Sequence, residues 1–225
     1  MSIIGATYHN GLSSLVLCDL REPDLGPEWV VPSHQPRTVC VFNAYLLVGH
    51  TSGLVAVLDT RNGLVVNTWR AHEGPILEMK PWADNFVLTS SIDRNIILWD
   101  LGLFLQSKTP SATQICEYRG HRDPPMFMDV YRDEVFSISG SKLAVAPLVK
   151  TAGLNKGNSE SDAMKPVVEP GKYVSDVYNL ERVPLFKQTG TQSLLKPLQL
   201  TCITVLEAHQ VVLIGTDEGH IKVVV

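Results

Sequence analysis

The stretch that most constrains this chain runs over residues 71–101, AHEGPILEMKPWADNFVLTSSIDRNIILWDL. It holds three short runs suited to strands, at 76–80, 85–89 and 95–100, separated by the turn signals Trp82-Ala83-Asp84 and Ile92-Asp93-Arg94. His72 precedes the first run, Asp93 sits in the second turn, and Trp99-Asp100 closes the third. A sheet covered on both faces must tie its buried polar groups to one another, because water cannot reach them. The imidazole of His72, a carboxylate oxygen of Asp93, a hydroxyl from Ser91 (or Thr89) and the indole N–H of Trp99 can form one such chain, with Asn95 or Ser90 able to assist.

The same unit recurs upstream. Runs at 38–42, 44–48, 54–58 and 64–69 make a complete set of four, with Thr51-Ser52-Gly53 and Arg61-Asn62-Gly63 as tight turns in which Gly supplies φ > 0. Leu58-Asp59 stands where Trp99-Asp100 stands, and Cys18-Asp19 holds that place once more. Asp19, Asp59 and Asp100 are therefore spaced by 40 and 41 residues, at the lower end of the roughly 40–45 of a WD repeat. A His, a turn Asp and a Trp-Asp in this order are the layout of one WD blade. The expected fold is all-β: a partial WD40-type β-propeller of about five blades or part-blades, built from four-stranded antiparallel sheets with one loop insertion. Residues 1–225 form a single domain.

The remaining segments fill in that plan. Residues 2–8, 14–19 and 27–32, with an Asn10-Gly11 turn, give a first blade without its innermost strand. After the central blade, 103–113 reads as a polar, Pro-containing loop and 114–118 as an outer strand. Gly120-His121 then opens a fourth blade at 126–131, 134–139 and 142–146. Pro147 lies near its Trp-Asp position and no Asp or Trp completes a polar chain there, so apolar packing must hold that blade. Residues 149–172 read as a mobile loop insertion within it, rich in Gly, Asn, Ser and Lys. Residues 173–180 could order against the propeller, and 183–186 is the expected outer strand. The last blade, 200–206, 210–214 and 219–225 with the turn Thr216-Asp217-Glu218-Gly219, stops after a third strand. The count of three, four, four, four and three leaves two open edges; two further blades and the two missing strands would complete a seven-bladed ring.

Composition narrows the function. With 44% hydrophobic and 19% charged residues and a net charge of −4, the chain can bury a sizeable core but has no basic excess for nucleic acid or an acidic membrane surface. Cys18, Cys40, Cys116 and Cys202 are far apart and lack CxxC spacing, so they read as small core residues in a reducing compartment. No secretory leader pattern and no apolar run near 18 residues is present, which points to the cytoplasm without direct membrane insertion. Phosphate-loop, zinc-protease, nucleophile-elbow and kinase motifs are all missing. No enzyme activity, cofactor or metal site is expected.

Binding is then the remaining class. Propellers commonly meet partners on the loops that join an outer strand to the next blade, and here those loops carry Arg70, Glu73, Arg119, Arg122 and Asp123. Solvated turn charges are the plainer account of the same residues. Asp19-Leu20-Arg21 and Asp59-Thr60-Arg61 also match the Asp-x-Arg ending of propellers that act as substrate receptors for cullin-type ubiquitin ligases, although Arg after a third strand is ordinary turn chemistry. The Phe-Arg-Arg-Gly motif of phosphoinositide-binding propellers does not occur.

Four passages carry a more specific likeness: LLVGHTSGLVAVLDTRNGLVVNTWRAHEGPILEMK, VLTSSIDRNIILW, FMDVYRDEVFSIS and LTCITVLEAHQVVLIGTDEGHIKVVV. They resemble the C-terminal propeller of the WD repeat-containing protein 81 family, large BEACH-domain proteins of endosomes. The likeness runs from about Ser14 to the end and is weakest across 149–196. It implies a fragment or short isoform lacking the BEACH region and the first blades. It also implies a scaffold peripheral to endosomal or lysosomal membranes. Such a scaffold acts in early-to-late endosome conversion with a second WD-repeat protein, restrains class III phosphatidylinositol 3-kinase, and serves autophagic clearance of ubiquitinated cargo.

Overall fold

The computed structural model describes residues 2–9, 12–19, 28–30, 35–107, 112–148, 167–168 and 199–224. Turn-bounded apolar runs fold, as read, into successive antiparallel sheets. Blade one is β1 (Ser2–His9), β2 (Leu12–Asp19) and β3 (Glu28–Val30). Blade two is β4 (Pro36–Phe42), β5 (Tyr45–His50), β6 (Leu54–Asp59) and β7 (Val65–Arg70). Blade three is β8 (Ile76–Trp82), β9 (Phe86–Ser91), β10 (Ile96–Asp100) and β11 (Thr113–Tyr118). Blade four is β12 (Pro125–Tyr131), β13 (Glu134–Ser139) and β14 (Lys142–Pro147).

One further short strand, β15 (Val167–Val168), precedes blade five, which is β16 (Leu200–Leu206), β17 (Val211–Thr216) and β18 (Ile221–Val224).

The repeat is sharper in register than in sequence. In blades two to five the first strand carries a β-bulge straight after its first residue, between Pro36 and Thr38, Ile76 and Glu78, Pro125 and Phe127, and Leu200 and Cys202. A second bulge recurs in the fourth strand, where Val66 and Ile115 are the extra residues opposite Val57–Leu58 and Leu98–Trp99. Bulges increase local twist, and a bulge repeated at one position bends each blade alike. It also fixes which side chains share a face, since a slip of one residue would turn the whole strand over.

That register sorts the core into layers between blades. Phe42, Leu47, Val55 and Val57 of blade two point forward onto Ile76, Met79, Ile97 and Trp99 of blade three. Leu88, Ile96 and Leu98 of blade three meet Met128 and Val135 of blade four. Phe136, Ile138 and Leu143 of blade four meet Leu200, Val212 and Ile214 of blade five. Each fully buried Val, Leu or Ile contributes roughly 1.5–3 kcal/mol, so the stack of sheets is the main source of stability.

Three sequence expectations change, and one cannot be compared. The loop at 103–113 contains a helix, α1 (Gly102–Ser107), whose Phe104 is buried edge-on against Tyr45 at a centroid distance of 5.0 Å. Six residues are too few for a helical period to show. The insertion at 149–172 supplies β15, which pairs in parallel with β11 through Glu117↔Val167 and Tyr118↔Val168 and adds a fifth strand to blade three. Two β-branched residues suffice to pair with an open outer edge, and two residues carry no readable alternation. The expected strand at 183–186 and the segment 173–180 lie outside the described residues. Cys40 is part-buried and Cys116 buried, as expected of core residues, but Cys202 is exposed. Cys202 falls on the face of blade five that no described blade covers.

Candidate interaction site at the third blade

The polar chain of blade three starts from a seat made by blade two. Gly53 takes φ 81 in the turn between β5 and β6, and its carbonyl accepts the N–H groups of Ala71 at 2.9 Å and His72 at 3.1 Å. A Cβ at Gly53 would fall 2.1 Å from the His72 carbonyl oxygen, so only glycine allows this approach. The seated His72 ring is buried, with Nδ1 2.9 Å from Asp93 Oδ2 and Nε2 2.8 Å from Thr89 Oγ1. Trp99 Nε1 donates to the same Thr89 oxygen at 3.0 Å. The indole can only donate and the carboxylate can only accept, which sets the direction of the chain. In the neutral ring, Nδ1–H gives to Asp93 and Nε2 takes the Thr89 hydroxyl hydrogen.

The hydroxyl at the centre is therefore Thr89, and Ser91 is corrected. Ser91 lies two residues further along β9, on the same side of the strand, beside the turn; its Oγ accepts the Asp93 backbone N–H at 3.2 Å. Asn95 contributes its backbone N–H to Asp93 Oδ1 at 3.0 Å, and Ser90 Oγ accepts from Glu78 N at 3.2 Å on the other side. Burial pushes the Asp93 carboxyl up, but the His72 imidazole and the N–H groups of Asn95 and Glu73 outweigh it and hold it below the ordinary aspartate value.

Blade four keeps half of this chain, which corrects the expectation that apolar packing alone holds it. His121 Nε2 lies 3.0 Å from Ser137 Oγ, and Ser137 occupies the register position of Thr89. Burial lowers the His121 pKa to about 4, opposed by the carbonyl of Arg94. In blade two the matching residue is Val48, which explains why no such chain forms there.

Beside the polar chain a cavity of about 430 Å³ opens between blades two and three. Trp69, Ile97, Trp99 and Ala112 give it apolar walls, and Arg70, Glu73, Asp93 and Glu117 give it charge. The two indoles meet edge-on at 5.9 Å. Trp69 Nε1 is buried and has no hydrogen-bond acceptor among the described residues. Of the expected contact residues, Arg70 and Glu73 are exposed at this crevice. Arg70 Nη1 reaches the carbonyls of Ser52 and His72, each at 3.4 Å. Arg119 joins through its 2.9 Å ion pair with Glu117. Arg122 and Asp123 are exposed on the loop into blade four and do not line it. Trp69 and Glu117 were missed by the sequence reading, since a Trp ending an outer strand and a Glu within one look like ordinary sheet residues.

The Asp-x-Arg ending of blade two folds on itself. Arg61 grips Asp59 with Nη2–Oδ2 at 2.6 Å and Nε–Oδ1 at 3.0 Å, and the Arg61 backbone N–H adds a third bond. That is turn chemistry. The side chains of Asp19 and Arg21 lie outside the described residues. Among the described residues no group of three His, Cys, Asp or Glu could hold a metal, and no helix is long and apolar enough to cross a membrane.

Successive antiparallel sheets with one shared bulge register, packed blade on blade, define a partial WD40-type β-propeller. The β-propeller domain of Myceliophteria thermophila Cps50 (Swd1) superposes with a TM-score of 0.55 at 18% identity, over 75% of this chain and 58% of that one. By sequence the chain is similar to WD repeat-containing protein 81. It is 24% identical to the Danio rerio protein over 79% of this chain, and 32% identical to the Homo sapiens protein over 47% of this chain. The chain spans only 7% and 5% of the length of those two relatives. No protein-family model matches it.

Proposed function

We propose that this chain is a non-catalytic protein-interaction scaffold whose partner seats in the crevice between blades two and three. The single observation that carries the reading is the crevice itself, about 430 Å³ between blades two and three, walled by Trp69 and Trp99 and rimmed by Arg70 and Glu73. Aromatic walls with an Arg at the rim match the composition of interface hot spots.

The finer proposal rests on the similarity to WD repeat-containing protein 81. The scaffold acts in endosome maturation with a second endosomal WD-repeat protein, restrains the class III phosphatidylinositol 3-kinase complex, serves autophagic cargo clearance, and is held at endosomal or lysosomal membranes through partners. A pull-down of the full-length gene product, run beside this chain, tests it. Co-recovery of the kinase-complex components with both supports the proposal. Recovery of a cullin adaptor in their place would replace it with the ligase-receptor reading.

A further inference from the structure

Register places one aromatic residue at the same point of two successive outer strands. Val55 pairs with Trp69 in blade two as Ile96 pairs with Tyr118 in blade three. Tyr118 is fully buried, and its hydroxyl donates to the Pro147 carbonyl of blade four at 3.2 Å. The outer strand of blade three is thus closed onto the blade that follows. Trp69 is only partly buried, and the cavity of about 430 Å³ opens beside it. That volume falls within the roughly 300–1,000 Å³ of ligand-binding clefts.

The charges around this crevice are unequal. Its lining holds one cation, Arg70, and three carboxylates, Glu73, Asp93 and Glu117. Arg70 turns Nη1 to the carbonyls of Ser52 and His72. Asp93 is engaged by His72 and by the backbone N–H groups of Glu73 and Asn95. Glu117 gives Oε2 to Arg119, which stands outside the lining with its side chain 57% exposed. Among the described residues nothing bonds Glu117 Oε1 or the Glu73 carboxylate. A carboxylate screened from water attracts a counter-charge more strongly than one on an open surface, and the Glu117 side chain is only 13% exposed. Trp69 and Trp99 line the same space, and an indole face also attracts a cation, through its quadrupole. Both features select one kind of group.

We propose that the crevice takes a basic side chain, an arginine or lysine presented by a segment of a partner protein. The proposal rests on the reading that a partner seats in this crevice, and adds the chemistry of the group that enters. Ile97 and Ala112 offer apolar surface to the alkyl stem, while Glu117 and Glu73 accept from the charged head.

NMR of the intact chain, isotope-labelled at tryptophan and read at the indole N–H signals, tests this. The probes are blocked peptides acetyl-Gly-Ser-Xaa-Ser-Gly-amide at millimolar concentration, with arginine, lysine, norleucine or glutamate as Xaa. The arginine and lysine peptides should shift the signals of Trp69 and Trp99. Trp82, which packs on Phe86 and does not line the crevice, should stay still. Affinity should fall several-fold from low to physiological salt. It should fall about tenfold in Glu73→Gln with Glu117→Gln, which removes both charges but keeps an acceptor for Arg119. Glu73→Gln alone, at an exposed residue, should show part of that loss with unchanged melting. Asp84→Asn, in an exposed turn off the crevice, should bind like wild type. Equal shifts from the glutamate or norleucine peptide would overturn the cation preference while leaving the crevice as the seat. Arginine and lysine shifts that survive the double variant unweakened would overturn it too. Silence of Trp69 and Trp99 with every peptide would also overturn the proposal. The seat itself would fall only if partner recovery from cells ignored Glu117→Lys as well.

Discussion

The carboxylate of Asp129 accepts a 2.8 Å hydrogen bond from the backbone N–H of Val205, crossing from blade four to blade five. Glu78 makes the same step one blade earlier, accepting from the N–H of Met128. In both cases the acceptor stands one register position before the donor in the following blade. Lys80 sits between them, 3.6 Å from Glu78 and 3.8 Å from Asp129. Two carboxylates thus stitch the inner strands of three blades together.

Removing a stitch leaves a buried N–H unpaired, at roughly 1–3 kcal/mol. Asp129→Ala and Glu78→Ala should each lower the midpoint of urea unfolding, while Asp84→Ala in an exposed turn leaves it unchanged. Glu78 has a further signature, because burial first of all, with Asp129 adding, raises its pKa against the opposing Met128 N–H and Lys80. A carboxyl whose folded pKa is raised favours the fold below its unfolded value and loses that contribution as pH rises through the folded value. Glu78→Gln keeps an acceptor and sheds the charge, so at pH 7 it should be neutral or stabilising. A loss as large as that of Glu78→Ala would show that the charge itself is needed.

Thr89 is the hub of the polar chain, bonded to both His72 and Trp99. Thr89→Val keeps the shape and strands two polar groups, so a loss of roughly 1–3 kcal/mol is expected. At about 2–4 °C per kcal/mol for a chain of this size, calorimetry should find a clear drop in Tm. Ser91→Ala should cost less, and Asp123→Ala on the surface least. His72→Ala, Asp93→Ala and Trp99→Phe should fall with Thr89→Val. Asp93 adds a pH term: its folded pKa is lowered, so its contribution is present above the ordinary value near 3.9 and is lost as pH falls through the folded value.

His121 predicts a different pH window. Its folded pKa is about 4 against an ordinary 6.5. Between those values the unfolded chain binds the proton and the folded chain does not, so stability falls on acidification from about pH 6.5 to about pH 4. Denaturant titrations at pH 7.0 and 5.0 should show this loss in wild type. In His121→Gln the two midpoints should lie closer together, whatever the absolute cost of the substitution. An unchanged gap would show that other groups carry the effect.

Much of this was readable before any coordinates. Short apolar runs separated by Asn-Gly, Ser-Gly and Asn-Gly turns place the hairpins, and the 40-residue spacing of Asp19, Asp59 and Asp100 sets the repeat. His72, Asp93 and Trp99 could be grouped because the order of types fits one polar network. The choice between Thr89 and Ser91 could not be made, since both lie on the same side of β9 and only the depth of the His72 ring separates them. The inter-blade stitches were invisible for a related reason. Their acceptors are side chains, but their donors are backbone groups 50 and 76 residues away, which no motif records. Trp69 escaped because its meaning is an unmet hydrogen bond.

Cysteine chemistry separates inside from outside. Burial pushes the Cys40 thiol up to about 12, against the pull of Lys80, and burial raises Cys116 as well. Thiolate is the reactive form, so in dilute native protein at pH 8 a thiol reagent should modify Cys202 and spare Cys40 and Cys116. Peptide mapping after a short pulse checks this. Modification of Cys40 at the rate of Cys202 would mean that blades two and three open readily.

The crevice between blades two and three is the centre of the functional account, and quantitative co-purification from cells tests it most directly. Four forms of the chain are compared: wild type, Arg70→Glu with Glu73→Lys, Glu117→Lys, and Arg122→Ala with Asp123→Ala. Wild type, the Arg70 and Glu73 variant and the Arg122 and Asp123 variant should share one melting profile, because those side chains are exposed, while Glu117→Lys, at a side chain only 13% exposed and paired with Arg119, is compared well below its own melting midpoint. The account predicts that partners recovered by wild type fall about tenfold or more with the first two variants and persist with the third, consistent with the roughly 1.4 kcal/mol that a tenfold change represents. Equal recovery by all four, or loss confined to the Arg122 and Asp123 variant, would contradict it.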